Sequence, residues 1–236
     1  MKRLFDEKIK FDEESHTYTY RDVKMDSVTE FLKQFAKEFD VDKHSKSVAN
    51  KRGVSQQTIL DEWDANKEFA LSFGTKIHRY AEQIYKGFEP DKTEDERECA
   101  YRSIVDKYVK EHSKLRLVAS ELVLCSPIHR LAGTADLLLT DGKGKFFMYD
   151  WKTSKEINEY SKYKDRFLAP FEYIDDCNFN KYALQLNLYN YMLNNKGIYP
   201  TGLYVIHLTS DGYKEYKVPF MEEEVSALLS MRLKQN

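Results

Sequence analysis

The sequence predicts a mixed α/β (α+β) fold with a central mixed β-sheet flanked by helices. Three consecutive segments, 115–125, 130–140 and 145–153, are rich in β-branched or aromatic residues and are separated by turn residues, which predicts neighbouring strands. Segments with helical periodicity precede and follow these strands. With 236 residues, 42% of them hydrophobic, the chain is long enough to bury one sizeable core.

An N-terminal hairpin and a helical lobe are expected before the sheet. Residues 8–25 alternate apolar and polar side chains around a polar turn, a pattern typical of short paired strands. Ser27 and Glu30 form a capping box that starts the first helix. The basic run 42–53 is interpreted as a solvated loop, with contact to phosphate groups as the alternative. Its basic residues are Lys43, Lys46, Lys51 and Arg52.

Two further helical stretches are predicted before the strands. A long periodic segment is interrupted at Gly74, so we expect either two helices or one kinked helix that ends at Gly87. A second capping box, Thr93 with Glu96, starts a helix that ends near residue 112.

After the strands, the chain is expected to form an irregular stretch (155–179), a helix (180–197), a strand hairpin and a closing helix. We expect all of these elements to make one domain. It comprises an N-terminal hairpin and helical lobe (1–72), a core (73–220) and a C-terminal helix (221–236).

Composition narrows the class of protein. The formal charge of −2 and the pI near 6.3 carry no global basic signature, so a nucleic acid would have to be bound by a local patch. The 3 cysteines match no metal-binding spacing, which fits a reducing compartment. No apolar run approaches the roughly 18 residues of a membrane span, and the acidic stretch 1–14 does not resemble a targeting peptide. We therefore expect a soluble cytoplasmic protein without a membrane partner.

Two aspartates interrupt the second and third predicted strands. A carboxylate on a buried sheet needs a partner to offset its desolvation. If the turn is centred on Lys143, Asp136 and Asp150 face each other and repel, unless a cation lies between them or one is protonated. Alternation places Lys152 on the face of Asp150, with Trp151 on the other face. A divalent metal ion resolves the repulsion, whereas a register shift of one residue would separate the acids.

Such a group of side chains suits hydrolysis of a phosphodiester. A hard cation with few protein ligands polarises the phosphate and lowers the pKa of its bound water. Lys152 would orient or deprotonate that water. The alternative interpretation is a set of surface charges on an edge hairpin.

The segments 133–136 (Gly-Thr-Ala-Asp) and 150–153 (Asp-Trp-Lys-Thr) resemble the split acid and Asp-x-Lys motif of the PD-(D/E)XK nucleases. The chain is more specifically similar to the RecB-like branch, which adds a Gly-Thr-x-x-His segment, here 74–78, and a Gln-x-x-x-Tyr segment, here Gln185 and Tyr189. The order of the four pieces resembles that of mitochondrial genome-maintenance exonucleases and small phage exonucleases.

The resemblance implies a restriction-endonuclease-like core and a metal site. It makes His78 a ligand beside Asp136 and Asp150, with the backbone carbonyl of Trp151 as a further ligand. The implied cofactor is Mg²⁺ or Mn²⁺, as one or two ions, since imidazole and carboxylates suit both. Relatives that bind an iron–sulfur cluster use four cysteines, so we expect no cluster in this chain.

The same resemblance assigns several residues near the metal. Glu121 would reach the site through water, with a solvent-facing side chain as the alternative. Gln185 and Tyr189 share a helix face and would orient Lys152 or touch the DNA backbone. Glu82, one turn after His78, is a weaker candidate.

A second basic segment follows the catalytic lysine and has aromatic residues between its charges. Basic residues among aromatics can follow phosphates and stack on bases, although 17 tyrosines make chance interleaving an alternative. Its candidate DNA-binding residues are Lys155, Lys162, Lys164 and Arg166, and its aromatic residues include Tyr160, Tyr163 and Phe167.

The sequence therefore predicts a metal-dependent DNA exonuclease that acts on ends with a single-strand preference, in recombination, repair or replication. The alternatives are a structure-selective or double-strand endonuclease, an inactive nucleic-acid-binding module and a metalloenzyme for small phosphate esters. The size and the N-terminal hairpin resemble phage proteins, which would place the enzyme in a bacterial host.

Overall fold

A computed structural model describes residue 6 and residues 8–235 of the chain, and its centre is one eight-stranded mixed β-sheet. The strands are β1 (Ile9–Asp12), β2 (Thr17–Tyr20), β3 (Val23–Ser27), β4 (Arg116–Ser126), β5 (Leu131–Thr140), β6 (Phe146–Lys152), β7 (Pro200–Leu208) and β8 (Tyr213–Val218). The helices are α1 (Val28–Lys33), α2 (Val41–Arg52), α3 (Gln56–Lys86), α4 (Glu96–Glu111), α5 (Asn178–Asn194) and α6 (Glu222–Gln235).

Apolar side chains cover both faces of the sheet. Helices α1, α5 and α6 pack on one face, around residues such as Leu138 and Leu203. Helices α3 and α4 pack on the other face, where Trp151 and Ile206 lie in a second cluster. The alternation of strand side chains supplies both clusters from the same strands. The predicted mixed α/β fold with a central sheet flanked by helices is confirmed.

Strand β5 is the branching point of the sheet. One of its edges pairs with β4 along the whole strand. The opposite edge is shared: β3 pairs in parallel with Leu131 and Ala132, and β6 pairs antiparallel with residues 137–140. Residues 133–136 therefore have no strand partner on that edge among the described residues, and side chains from other elements contact them there.

The register between β5 and β6 is the predicted one. The last pair is Leu137 with Tyr149, so Asp136 and Asp150 follow directly where the pairing ends. Strand β6 then runs parallel to β7, which forms the predicted antiparallel hairpin with β8.

The N-terminal strands are part of the same sheet, because β3 connects the meander β1–β2–β3 to β5. Ser27 caps α1 as predicted, with its side chain accepting the backbone N–H of Glu30. The first five residues, which belong to the stretch predicted to lack a targeting signal, lie outside the described residues.

The structure corrects the prediction that 42–53 is a loop. These residues form helix α2, which is capped by Asp40 at its start and ends at Gly53 in the left-handed conformation. The helix was missed because it has almost no apolar stripe: only Ser45 and Ala49 are buried, and Gln56 donates a hydrogen bond to Ser45. Its stability comes from packing on α3 rather than from an amphipathic pattern.

The next two helices bear on the predicted boundaries. Helix α3 is a single helix of 31 residues that passes through Gly74 and is capped by Gly87, which is one of the two alternatives that the sequence left open. A glycine inside a helix lowers stability without ending the helix when buried side chains continue on both sides. Helix α4 is capped by Asp95, which accepts the N–H of Glu98, whereas Thr93 bonds to the Glu98 side chain. Among the described helices, none is both long and apolar enough to cross a lipid bilayer.

Gly133 stands at the unpaired edge of β5 because the ring of Tyr189 occupies the space beside it. A Cβ atom at this position would lie 2.5 Å from the Tyr189 hydroxyl oxygen and Cε1. Tyr189 is only 3% exposed, so its ring has nowhere to move. The space at Gly74 is different, since a Cβ there would make an ordinary 3.5 Å contact with the Thr153 hydroxyl oxygen.

We expect opposite effects from alanine at these two glycines. Gly133→Ala should lower the free energy of unfolding by about 1–3 kcal/mol, because it overpacks the site against Tyr189. Gly74→Ala should raise it by about 0.5–1 kcal/mol, because alanine is the better helix former. Urea unfolding followed by circular dichroism measures both values, and equal stability of Gly133→Ala and the wild type would contradict the close approach.

Candidate metal centre and active site

Three acidic residues come from three neighbouring strands at the place where β5 and β6 separate. Asp136 lies on β5 and Asp150 on β6, directly after the last pair of their ladder. Glu121 lies on β4 between Ser120, which pairs with Leu137, and Leu122. Its backbone φ of 45° is in the left-handed region, which is unfavourable for a non-glycine residue and typical of functional sites.

A backbone hydrogen bond shows how the strands separate. The N–H of Trp151 donates to Asp136 Oδ2 at 2.7 Å, so the Asp136 carboxylate takes the place of a backbone acceptor on β5. Asp136 is 9% exposed and Asp150 is 2% exposed, so the acids are buried at this junction. Burial removes water from both carboxylates, so their ionised forms are unfavourable unless a cation is close.

Helix α3 brings His78 to the acids. Its Nδ1 lies 3.4 Å from Asp136 Oδ2, and its Nε2 lies 3.0 Å from the carbonyl oxygen of Trp151. A carbonyl only accepts hydrogen bonds, so this contact requires the proton on Nε2. In the neutral imidazole, Nδ1 then keeps its lone pair on the side of Asp136.

The side chains of His78, Glu121 and Asp136 could hold a metal ion, because their ligand atoms all lie within 4.8 Å of one another. Two carboxylates and one imidazole are a donor set that fits Mg²⁺ or Mn²⁺. Asp150 lies beside this group, and its Oδ2 is 2.6 Å from Lys152 Nζ. The structure thus brings together the sequence-predicted residues His78, Glu121 and Asp136 and pairs Asp150 with Lys152.

The crowding of acids raises pKa values in the metal-free protein. Burial, together with the charges of Asp136 and Glu82, raises the pKa of Glu121 to about 9. Burial likewise raises the pKa of Asp150 to about 6, although Lys152 acts to lower it. A divalent cation would relieve both effects, because it favours the ionised form of each carboxyl group.

Lys152 is buried, and its neighbours favour the charged form of its side chain. Burial is the strongest single influence and acts to lower its pKa, but Asp150 and Asp136 together raise the pKa above its ordinary value. The ammonium group therefore keeps its proton and can donate hydrogen bonds.

Tyr182 is a neighbour of Lys152 that the sequence did not indicate. The ammonium of Lys152 lies 4.8 Å from the centroid of the Tyr182 ring, within the range of a cation–π interaction. One sequence signal was available, because Tyr182 lies three residues before Gln185 on the same helix face.

The other candidates near the metal have partners of their own. Gln185 donates a hydrogen bond to the Tyr189 hydroxyl at 3.1 Å. Glu82 pairs with Lys86.

Half of the predicted DNA-binding residues have acidic partners. The four pairs are Lys46 with Asp42, Arg52 with Glu62, Lys162 with Glu156 and Arg166 with Asp175. The other four candidates, Lys43, Lys51, Lys155 and Lys164, form no ion pair within the described part of the chain. Their charges are therefore available to a polyanion.

One comparison with known proteins agrees with this fold. The family model of the PD-(D/E)XK nuclease superfamily matches residues 93–232, which is more than half of the chain. The protein therefore belongs to the PD-(D/E)XK nuclease superfamily, a class of nucleases that generally use divalent metal ions. His78 lies before the matched residues.

One similar solved structure is described as the crystal structure of SSO0001. It shares 14% sequence identity and a TM-score of 0.32 with this chain, and the match covers 56% of this chain and 55% of that one. The chain thus spans about half the length of that structure. No curated protein matches the sequence.

We expect Asp136→Asn to weaken Mn²⁺ binding by at least about tenfold, because it removes one carboxylate from the group. Asparagine keeps an oxygen that can accept the Trp151 N–H, so the strands should still separate normally. Asp211→Asn, in the exposed turn between β7 and β8, is the matched control. Calorimetric titration with Mn²⁺ measures the affinity, and equal affinity in both variants would contradict this site.

Metal binding should release protons. Near pH 7 the Glu121 carboxyl, with a pKa of about 9, is mostly protonated in the metal-free protein, and a bound cation requires its ionised form. The Mn²⁺ affinity should therefore fall as the pH is lowered from about 9 to 6. Titrations in two buffers with different ionisation enthalpies count the protons, and Glu121→Gln should release fewer protons than the wild type.

Proposed function

We propose that the protein is a metal-dependent DNA exonuclease of the RecB-like branch, which hydrolyses phosphodiester bonds from DNA ends with a preference for single strands. The observation that supports this most directly is the group of His78, Glu121 and Asp136 beside the Asp150–Lys152 pair. The order of the sequence motifs that contain these residues also supports it. We further propose a cytoplasmic role in recombination, repair or replication.

The proposed roles follow from the contacts of each side chain. His78, Glu121 and Asp136 hold Mg²⁺ or Mn²⁺, with Asp150 as the further carboxylate of the site. When bound, the ion polarises the phosphate and lowers the pKa of its water. Lys152 donates hydrogen bonds to the water or to a phosphate oxygen, and its charge offsets the negative charge that develops there.

The surrounding residues hold this arrangement in place. Asp150 and the ring of Tyr182 fix the position of the Lys152 ammonium from two sides. Trp151 holds both Asp136 and His78, one through its N–H and the other through its carbonyl oxygen. Because these contacts are present without substrate, little reorganisation is needed when the phosphate arrives.

The test uses linear end-labelled and circular single-stranded DNA with Mg²⁺, Mn²⁺ or EDTA. We expect metal-dependent digestion of the linear strand alone, and at least about a hundredfold slower digestion by Asp150→Ala and by Lys152→Met, because each change removes one charge of the buried pair. The label that is released first reports the polarity.

The other outcomes separate the alternatives. Cleavage of the circular strand would indicate an endonuclease instead of an exonuclease. Internal cleavage of a blunt duplex would indicate a double-strand endonuclease. DNA binding without cleavage under any metal would indicate a binding module. Hydrolysis of a chromogenic phosphodiester with no effect of salt on its binding would indicate a small-substrate enzyme.

A further inference from the structure

The segment 153–177 forms a long loop that begins at Lys152 and leads into the helix that carries Tyr182. It begins directly after Lys152 at the end of β6. It returns to the start of α5, where the Tyr182 ring lies 4.8 Å from the Lys152 ammonium. A connection of this length in a folded domain is uncommon and is usually functional.

Most of this loop is fixed to the body of the protein. Phe167 and Phe171 are buried in the core at 2% and 1% exposure. Asp175 accepts the backbone N–H of Ser161 at 3.1 Å and pairs with Arg166 at 2.6 Å. These contacts hold the backbone on both sides of residues 162–165.

Three aromatic side chains of the loop are exposed, and two of them make no side-chain hydrogen bond among the described residues. The third, Tyr173, is 62% exposed and donates its hydroxyl to Glu224. Tyr160 is 77% exposed and Tyr163 is 86% exposed. Phe167, which the sequence pattern groups with them, belongs to the core instead. Two exposed rings on an anchored loop present apolar faces that nothing in the described structure covers.

Two lysines beside the rings are available to a polyanionic partner, because the neighbouring acids Glu159 and Asp165 pair with Lys214 and Lys37. Lys155 and Lys164, on either side of Tyr160 and Tyr163 in the chain, form no ion pair among the described residues. Lys162, between the rings, is neutralised by Glu156 at 2.6 Å. The loop thus offers two aromatic faces and two available cations, which is the combination that single-stranded nucleic acid requires.

We propose that Tyr160 and Tyr163 form a stacking platform for unpaired bases of the substrate strand, with Lys155 and Lys164 on its phosphates. Tyr160 follows Lys152 by eight residues, so it lies at most about 29 Å away and within a few nucleotides of the phosphate at the candidate site. The idea that the bound strand continues from the platform to the candidate site rests on the proposed nuclease function. The platform itself explains a preference for single strands, because paired bases cannot expose their faces.

The test measures binding without cleavage. A single-stranded oligonucleotide that contains 2-aminopurine is titrated in EDTA with the wild type, with the double variant Tyr160→Leu/Tyr163→Leu and with the double variant Tyr160→Phe/Tyr163→Phe. We expect the leucine variant to raise Kd by about tenfold or more and to lose the fluorescence quenching that stacking causes. The phenylalanine variant keeps both rings and should behave like the wild type.

Tyr199→Leu is the matched control. Tyr199 is also an exposed tyrosine, at 64%, but it precedes β7 at the end that pairs with Phe146, opposite to the Lys152 end of β6. It should leave Kd unchanged. Thermal unfolding of each variant, followed by circular dichroism, shows whether the fold is retained.

The outcomes distinguish this inference from the proposed function. An unchanged Kd in the leucine variant, with normal digestion by the wild type, overturns the platform and leaves the nuclease. A raised Kd in the leucine variant, with no digestion by the wild type under any metal, supports the platform and overturns the nuclease. A blunt duplex bound as tightly as the single strand, and weakened equally by leucine, also overturns the platform.

Discussion

The separation of β6 from β5 after Leu137 and Tyr149 is the constraint on which the site depends. If the ladder continued, the two aspartates would face each other as an ordinary cross-strand pair, with their charges unopposed. The Asp136 carboxylate instead accepts the N–H of Trp151, which ends the ladder and turns the β6 backbone away. At this end of the ladder, His78 from α3 contacts both strands, through Asp136 and through the carbonyl of Trp151.

The split edge of β5 also explains why small residues precede Asp136. The chain needs a flat backbone surface at Gly133 because the buried ring of Tyr189 packs directly on it. Tyr189 in turn bonds to Gln185, so α5 is held against the strand by the same contact. A motif that looks like a list of catalytic residues thus includes positions whose role in the structure is packing.

The sequence was sufficient to predict the central strands and the register between β5 and β6, because alternation and turn residues are local signals. The Asp136–Asp150 proximity followed from a single assumption about the turn, and the ladder has that register. Helix α2 was not predictable in the same way, since its one-sided burial of Ser45 and Ala49 depends on α3. A pattern without an apolar stripe carries no information about such packing.

The site could be predicted only in part, for a similar reason. His78, Glu121 and Asp136 could be named because their residue types and spacing resemble a known motif, and the structure brings them together. The ring beside Lys152 was harder to name, because the spacing of Tyr182 from Gln185 places it on a helix face but does not show which of the 17 tyrosines contacts the lysine. The ion pairs that neutralise half of the basic candidates likewise join residues whose pairing depends on side-chain geometry.

Helix α3 is continuous from the helical lobe to the candidate metal site. The helical twist therefore fixes the direction of the side chains at one end relative to those at the other. Ile59, in the first turn of the helix, is buried, and His78 lies about five turns later in the same rigid helix. Each residue turns the helix by about 100°, so one inserted residue between them would rotate the lobe by more than a quarter turn relative to the imidazole. An insertion or deletion keeps the side chains at both ends pointing in their original directions only if it is close to a whole number of turns, such as seven or eleven residues. An insertion of one residue in this part of α3 would therefore change which side of the helix faces the acids.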